Sequence, residues 1–350
     1  MEIEQRVWGF TEQGEAVILY TMRNAAGAAV ELTNIGAAIV SVTVPDRNGK
    51  LDDVVLGYRD WKSYFGCGAA MGKSVGRFAN RIGRGLFTLD GVQYRLACNN
   101  GPNHLHGGVD NFANRVWTSR VETNRVVFNL ESADGDQGYP SDLSVEAVYD
   151  WDDDCSLEIT YSAVTRGRTI VNLTNHAYFN LSGEASGSVL DHRLQLNCSR
   201  YLASDTTQIP TGELCDAAGT PMDFRHGRRL GEDIGSDFAH LREYKGYDHC
   251  FAVDGWQKNR LAEVGVLSDP RSGRRMEILS SQPGIQVYTG NYLAGTAPGR
   301  SGRCYADYDG VALECQNWPD APNKPGFPSP VLSAGERYVQ KIVYRFSTEQ

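Results

Sequence analysis

A carboxylate and an imidazole, one taking a proton while the other gives one, are the minimum for acid–base chemistry on a polar substrate near neutral pH. This chain offers both. In "NLTNHAYFNLSG", Asn172 to Gly183, His176 stands among asparagines and aromatics ahead of a closing Ser-Gly turn. Amide and phenol groups of this kind suit a concave, partly aromatic pocket for hydroxylated ligands. A lone histidine is more often structural, so the segment needs a partner. "VALECQNWPDAPN" provides Glu314, lodged in an apolar run and followed by Gln316, Asn317 and Trp318. A charge in an otherwise apolar strand is expensive unless it is paired or functional, and partial desolvation raises its pKa toward that of a working base.

Other segments carry weaker signals. His104 and His106 of "NHLHGG" are two residues apart, which on a strand turns both to one side, where they could share a metal; such a pair could equally contain one ligand-facing and one structural histidine. A zinc site needs a third protein ligand, and neither a helical HExxH nor a cysteine pair supplies it, so no metal is expected. "GAAMGKS", Gly68 to Ser74, resembles a phosphate loop only superficially. A P-loop has four residues between its glycine and the Gly-Lys pair, whereas Gly68 and Gly72 enclose three, with Cys67 where the first glycine belongs. "GYDHCF" adds Asp248, and "GRFANRI" adds Asn80 and Arg81 between Arg77 and Arg84. Arginines this dense form either an anion clamp or ordinary surface pairs.

The elements that must position these residues read as strands. "LSVEAVY" alternates Leu143, Val145, Ala147 and Tyr149 with more polar neighbours, and after the acidic turn "DWDDDC" a second alternating run, "LEITYSAV", follows. Leu143 to Val164 is therefore expected to be a hairpin. Asp90-Gly91 in "FTLDGVQYRL" has the composition of a type I′ turn. Asn48-Gly49 gives a similar signal between "SVTV" and "VVLG", with Pro45 confining the first run to an edge or ending it early. Helical candidates are short, at "RDWKSYF" and "SDFAHLREY". The proline-rich "WPDAPNKPGFPSP" is expected to be a loop of the same fold, and residues 1–350 a single all-β domain of antiparallel strands.

Composition limits the partners. The chain's 34 basic and 43 acidic residues give a net charge of −9, which opposes non-specific binding to nucleic acid or anionic lipid. Neither a leader in "MEIEQRVWGF" nor a stretch of roughly 18 apolar residues is found, so a soluble cytoplasmic protein with a small, weakly polar partner is expected. The eight cysteines are scattered without a CxxC pair and are expected to be buried free thiols. Sequons at Asn172, Asn180 and Asn197 are then coincidental.

Taken in order, "GRFANRI", "NHLHGG", "NLTNHAYFNLSG", "YDHCF", "QPGIQVYTGN" and "LECQNWPDAPN" closely resemble the signature stretches of the galactose mutarotases, or aldose 1-epimerases, from about Trp8 to Phe346. The resemblance implies a large β-sandwich, the mutarotase-like supersandwich, with a sugar cleft on a concave sheet. It also implies interconversion of the α and β anomers of free aldohexoses without cofactor or metal. Position by position, Glu314 matches the family's general base and His176 its general acid. His106 matches a sugar-contacting histidine, and Asn80 with Arg81 a pair holding hydroxyls. Asp248 and Gln286 match further hydrogen-bonding positions, while His104 matches no catalytic role. A carboxylate near His176 would be expected to lift its pKa. The chain departs from the pattern at "YADYDGV" and "MGKS", which would reshape the cleft rim. Competing readings are a sugar-sensing module without turnover, a glycosidase using Asp248 and Glu314, and a sugar-phosphate epimerase using Arg77, Arg81 and Arg84. A monomer or homodimer is expected.

Overall fold

Alternating sequence becomes half-buried strand. In the computed structural model, which describes residues 1–66 and 68–349, Leu143–Trp151 alternates buried and half-buried positions and pairs antiparallel with Ser156–Val164. The acidic turn between them works because Asp152 Oδ1 accepts the amides of Asp154 at 2.9 Å and Ser156 at 2.8 Å. Asp90 and Gly91 join Leu86–Leu89 to Val92–Arg95 with φ of 52° and 78°, both positive as a type I′ turn requires.

The turn at Asn48-Gly49 differs from expectation. Ala38–Pro45 does end at its proline, but its partner is Leu51–Asp53 rather than "VVLG". Asp53 is the reason: its Oδ1 accepts the amides of Val42 at 3.0 Å and Val55 at 3.2 Å, so of the next rung only the Val54 amide's bond to the Val42 carbonyl, 2.8 Å, is kept. "RDWKSYF" becomes a 3₁₀ turn, Trp61–Tyr64, capped by Asp60, and "SDFAHLREY" a short α-helix, Ala239–Glu243.

Three antiparallel sheets share one apolar core. A nine-stranded sheet runs from Thr118–Glu122 through the Leu143–Val164 hairpin and the C-terminal strand Tyr338–Thr348 to Arg228–Arg229. A six-stranded sheet has the order Tyr178–Phe179, Val311–Gln316, Gly284–Tyr288, Asp248–Ala252, Arg200–Ser204, Pro210–Asp216, and the N-terminal strands form a five-stranded meander. Val145 and Ile159, Ile285 and Leu313, and Val30 and Val42 represent the three sheets in a single cluster. Burying a side chain of that size contributes roughly 1.5–3 kcal/mol. In the six-stranded sheet Val311, Leu313 and Cys315 enter the core, so the strand's period of two turns Glu314 and Gln316 the other way. Gln286 faces Glu314 in register.

After Trp318 the proline-rich segment makes a 3₁₀ turn, Ala321–Asn323, and a short strand, Val331–Leu332, paired with Thr169–Ile170. The seven described cysteines are free thiols, three of them buried and two exposed rather than all buried. Cys67, named in the comparison with a phosphate loop, lies outside the described residues. No helix among the described residues is long and apolar enough to cross a membrane.

The glycines of "GAAMGKS" have a packing explanation. Gly72 has φ of 72°, and a Cβ there would lie 1.9 Å from the carbonyl oxygen of Ile39, whose amide donates to the Gly72 carbonyl at 2.8 Å. Gly68 has open space around its Cα. Gly72→Ala is therefore expected to destabilise the fold by about 2 kcal/mol or more, from a left-handed φ worth roughly 1–2 kcal/mol plus a backbone clash. Gly68→Ala should leave thermal unfolding unchanged. Equal melting temperatures for the two variants would refute this account.

Candidate active site

Glu314 owes its position to a strand covered on both faces. All six residues of Val311–Gln316 are buried, and Glu314 is 2% exposed. His176, 5% exposed, sits in the two-residue gap between the short strands Thr174–Asn175 and Tyr178–Phe179. The backbone is clamped from behind: the Gly72 amide donates to the His176 carbonyl at 3.0 Å and the His176 amide to the Lys73 carbonyl at 2.8 Å. Asn175 reinforces the clamp by donating to the Gly72 carbonyl at 2.8 Å. The close passage that demands Gly72 thus also fixes the imidazole. Its Nε2 lies 3.5 Å from Glu314 Oε1, while His176 Nδ1 and Glu314 Oε2 have no hydrogen-bond partner among the described residues.

One asparagine ties the segments together. Asn172 donates to the carbonyls of Ala79 at 3.1 Å and Asn317 at 3.2 Å, and accepts the Asn317 amide at 2.8 Å. It thereby joins the "GRFANRI", "NLTNHAYF" and "LECQNW" segments at one point.

His106 and His104 serve different purposes, one facing the cleft and one structural, and do not form a shared metal site. His104 donates from Nδ1 to the Ala97 carbonyl at 2.7 Å and accepts the Tyr139 hydroxyl at Nε2, 2.6 Å away, so it is structural. His106 adopts a φ of 53°, and its Nδ1 accepts the Asn80 amide at 3.2 Å while its own amide donates to the Asn80 carbonyl at 3.1 Å. An amide can only donate, so the neutral ring carries its proton on Nε2 and presents a donor to the cleft. The His106 and His176 rings meet edge to face with centroids 5.4 Å apart.

A cavity of about 780 Å³ opens over these groups, lined by Asn80, Arg81, His106, His176, Asp248 and Glu314 among others. Six of the seven residues singled out from the sequence therefore meet there. Gln286 does not reach the lining; it stands behind Asp248, donating to Oδ1 at 2.6 Å. Arg81 donates through Nε to Asn100 Oδ1 at 3.1 Å and through Nη2 to Gln208. Arg77 points elsewhere, its guanidinium filled by the carbonyls of Ser132, Pro140 and Ser141, and Arg84 is exposed. No arginine cluster converges on the cavity as a sugar phosphate would require. Neither "MGKS" nor "YADYDGV" contributes to the lining. The first clamps His176, and Asp309 of the second is taken up by Arg303 at 2.9 Å, so the expected effect on the rim is not observed. Sequence reasoning missed Asn100, Gln208, Tyr244 and the rim segment from Tyr292 to Ala297, from stretches whose composition reads as ordinary loop or strand, and Tyr288, which lies within "QPGIQVYTGN" but was not singled out.

Loss of water is the leading cause of the shifts in both central groups, and it acts in opposite directions. Burial pushes the Glu314 carboxyl well above its usual range, with the Asp248 charge adding and Arg81 opposing. Burial draws the His176 imidazole down to about 4. The expectation that a carboxylate lifts His176 is thus overturned. Burial favours the neutral form of each group.

Among the described residues, His106, His176 and Glu314 are the one trio of potential metal ligands whose donor atoms lie within 4.8 Å of one another. The fit is poor, since the His106 nitrogen available to the cavity carries a proton fixed by the Asn80 amide.

The aldose 1-epimerase family model matches residues 19–345. A galactose mutarotase of Bos taurus is 42% identical over 320 residues, 91% of each chain. An aldose 1-epimerase of Escherichia coli (strain K12) is 38% identical over 339 residues, 96% of this chain and 97% of that one. The crystal structure of a GalM/aldose epimerase homologue from C. elegans superposes with a TM-score of 0.87 at 32% identity, covering 95% of this chain and 99% of that one.

The Glu314 shift has a consequence for stability. A folded-state value above the unfolded one means the native chain holds this proton more tightly, so its contribution to stability is full below about 4.5 and declines as pH rises toward the folded value. Glu314→Gln removes that titration. The variant should match the wild type in melting temperature near pH 4 and exceed it increasingly up to pH 8. A difference independent of pH would contradict the burial argument.

Proposed function

The chain belongs to the aldose 1-epimerase family, and we propose that in its interconversion of aldose anomers Glu314 is the general base and His176 the general acid. The supporting observation is the buried pair itself, an imidazole Nε2 3.5 Å from a carboxylate oxygen in the lining of a cavity of about 780 Å³. The substrate proposed is a free aldohexose such as D-galactose or D-glucose.

Opening a pyranose needs a proton to leave the anomeric hydroxyl while another reaches the ring oxygen. The pair holds one proton to share. With the proton on His176, Glu314 accepts from O1–H and His176 donates to the ring oxygen as the C1–O5 bond breaks and C1=O1 forms. That step leaves Glu314 protonated and His176 neutral, the distribution that burial favours in the empty cleft. After rotation about C1–C2, His176 takes the proton back from the C5 hydroxyl as its oxygen attacks the opposite face of C1, and Glu314 returns its proton to O1. Each transfer contributes typically 10²–10⁴-fold. No electrons leave the substrate, and these two groups are sufficient for the proton traffic.

The remaining lining groups have hydrogen-bonding parts. Asn80 and the protonated Nε2 of His106 are donors, Arg81 is a fixed cationic donor, and Asp248 accepts, which together match hydroxyls that both give and receive. A non-catalytic sensing module would need these groups but would have no use for a matched acid and base. One polarimetric experiment tests the reading. Catalytic amounts of protein should hasten the approach of fresh α-D-galactose and α-D-glucose to their final rotations. Glu314→Gln and His176→Gln should each lower kcat by about 10²-fold or more while retaining the far-ultraviolet spectrum of a folded β protein. Normal turnover by both variants would reverse the assignment.

A further inference from the structure

Between Arg81 and Asp248, a cation and an anion on one wall of the cleft, stands a neutral side chain. Gln208 accepts from Arg81 Nη2 at Oε1 and donates from Nε2 to Asp248 Oδ2 at 2.5 Å. Among side chains of this length, only a carboxamide offers an acceptor to the cation and a donor to the anion at once. A carboxylate there would confront Asp248, and an apolar group would leave both partners free to turn toward each other.

The backbone around Gln208 is built to hold that amide. Gln208 adopts a φ of 63°, a region that L-residues enter at a cost of roughly 1–2 kcal/mol. Asp205 holds the turn by accepting at Oδ1 from the amide and hydroxyl of Thr207, each at 2.8 Å, and from the Ile209 amide at 3.1 Å. The turn is moored on both sides. Tyr244 donates to the Asp205 carbonyl at 2.7 Å, and Asn103, from the segment bearing His106, donates to the Thr207 carbonyl at 3.0 Å.

We propose that Gln208 is a positioning residue that keeps Arg81 and Asp248 apart as two oriented partners for sugar hydroxyls instead of a self-neutralising ion pair. The inference deepens the aldohexose reading and rests on it for the ligand's identity. Each charged group keeps unused capacity. Arg81 gives two of its donors to Asn100 and Gln208, and among the described residues the Asp248 carboxylate accepts from Gln208 and Gln286 alone, so a hydroxyl can be gripped by guanidinium and carboxylate together.

The test measures D-galactose binding by titration calorimetry, and KM and kcat by polarimetry, for the wild type, Gln208→Leu and Gln208→Glu. Gln208→Leu should weaken binding and raise KM about tenfold or more, with kcat within about threefold of wild type. Gln208→Glu should show a similar loss at pH 8 that recovers toward pH 5, where protonation of the introduced carboxyl restores the donor. Arg81, Tyr244, Tyr288 and Glu314 also face Asp248 and are common to all three proteins, so a difference between pH profiles reports the substitution. Unchanged galactose affinity in both variants, or the same pH profile for Gln208→Glu as for wild type, would overturn the proposal. A wild type that binds galactose without hastening mutarotation would sink the proposed function while binding alone decides the role of Gln208. A wild type that does neither overturns both.

Discussion

The removal of Glu314 from water is the constraint on which the rest of the site depends. A carboxyl group on a strand buried on both faces is stable only if it stays protonated or finds compensating partners. Its partner His176 is equally dry, so burial favours the neutral form of each. One group that tends to hold a proton beside one that tends to release it suits a reaction that moves one proton out and another in. The same dryness prevents surface salt bridges from holding the histidine. His176 is fixed instead by backbone hydrogen bonds to Gly72 and Lys73 and by its neighbours Tyr178 and His106.

Rigidity at the cleft therefore comes from parts that never touch it. Gly72 lets two backbones approach closely enough for the clamp, and Asn172 binds three separate segments with one amide. The polar wall continues the pattern. Asn100, Arg81, Gln208, Asp248 and Gln286 form a continuous line of hydrogen bonds in which each side chain orients the next. The parity of the six-stranded sheet sets the boundary, with Ile285 and Leu313 in the core and Gln286 and Glu314 on the opposite face.

The sequence by itself determined the strands, because alternation and turn chemistry are local. Leu143, Val145 and Ala147 alternate whatever lies beyond them, and Asp90-Gly91 tolerates positive φ on its own account. It also marked Glu314 and His176 by their incongruous surroundings, and the order of six short segments placed the chain among the aldose 1-epimerases. Tertiary structure alone decided the partner of the Asn48-Gly49 strand, which a side chain of Asp53 displaced. It separated His104 from His106, because one found Tyr139 and the other found Asn80. It reversed the expected shift of His176, since desolvation depends on everything packed around a ring and not on its neighbours in the chain. And it placed Gln208, unremarkable in "DTTQIP", between a cation and an anion that lie 127 and 40 residues away in sequence. Propensity and alternation act over a few residues, whereas burial and charge separation are properties of the folded surroundings.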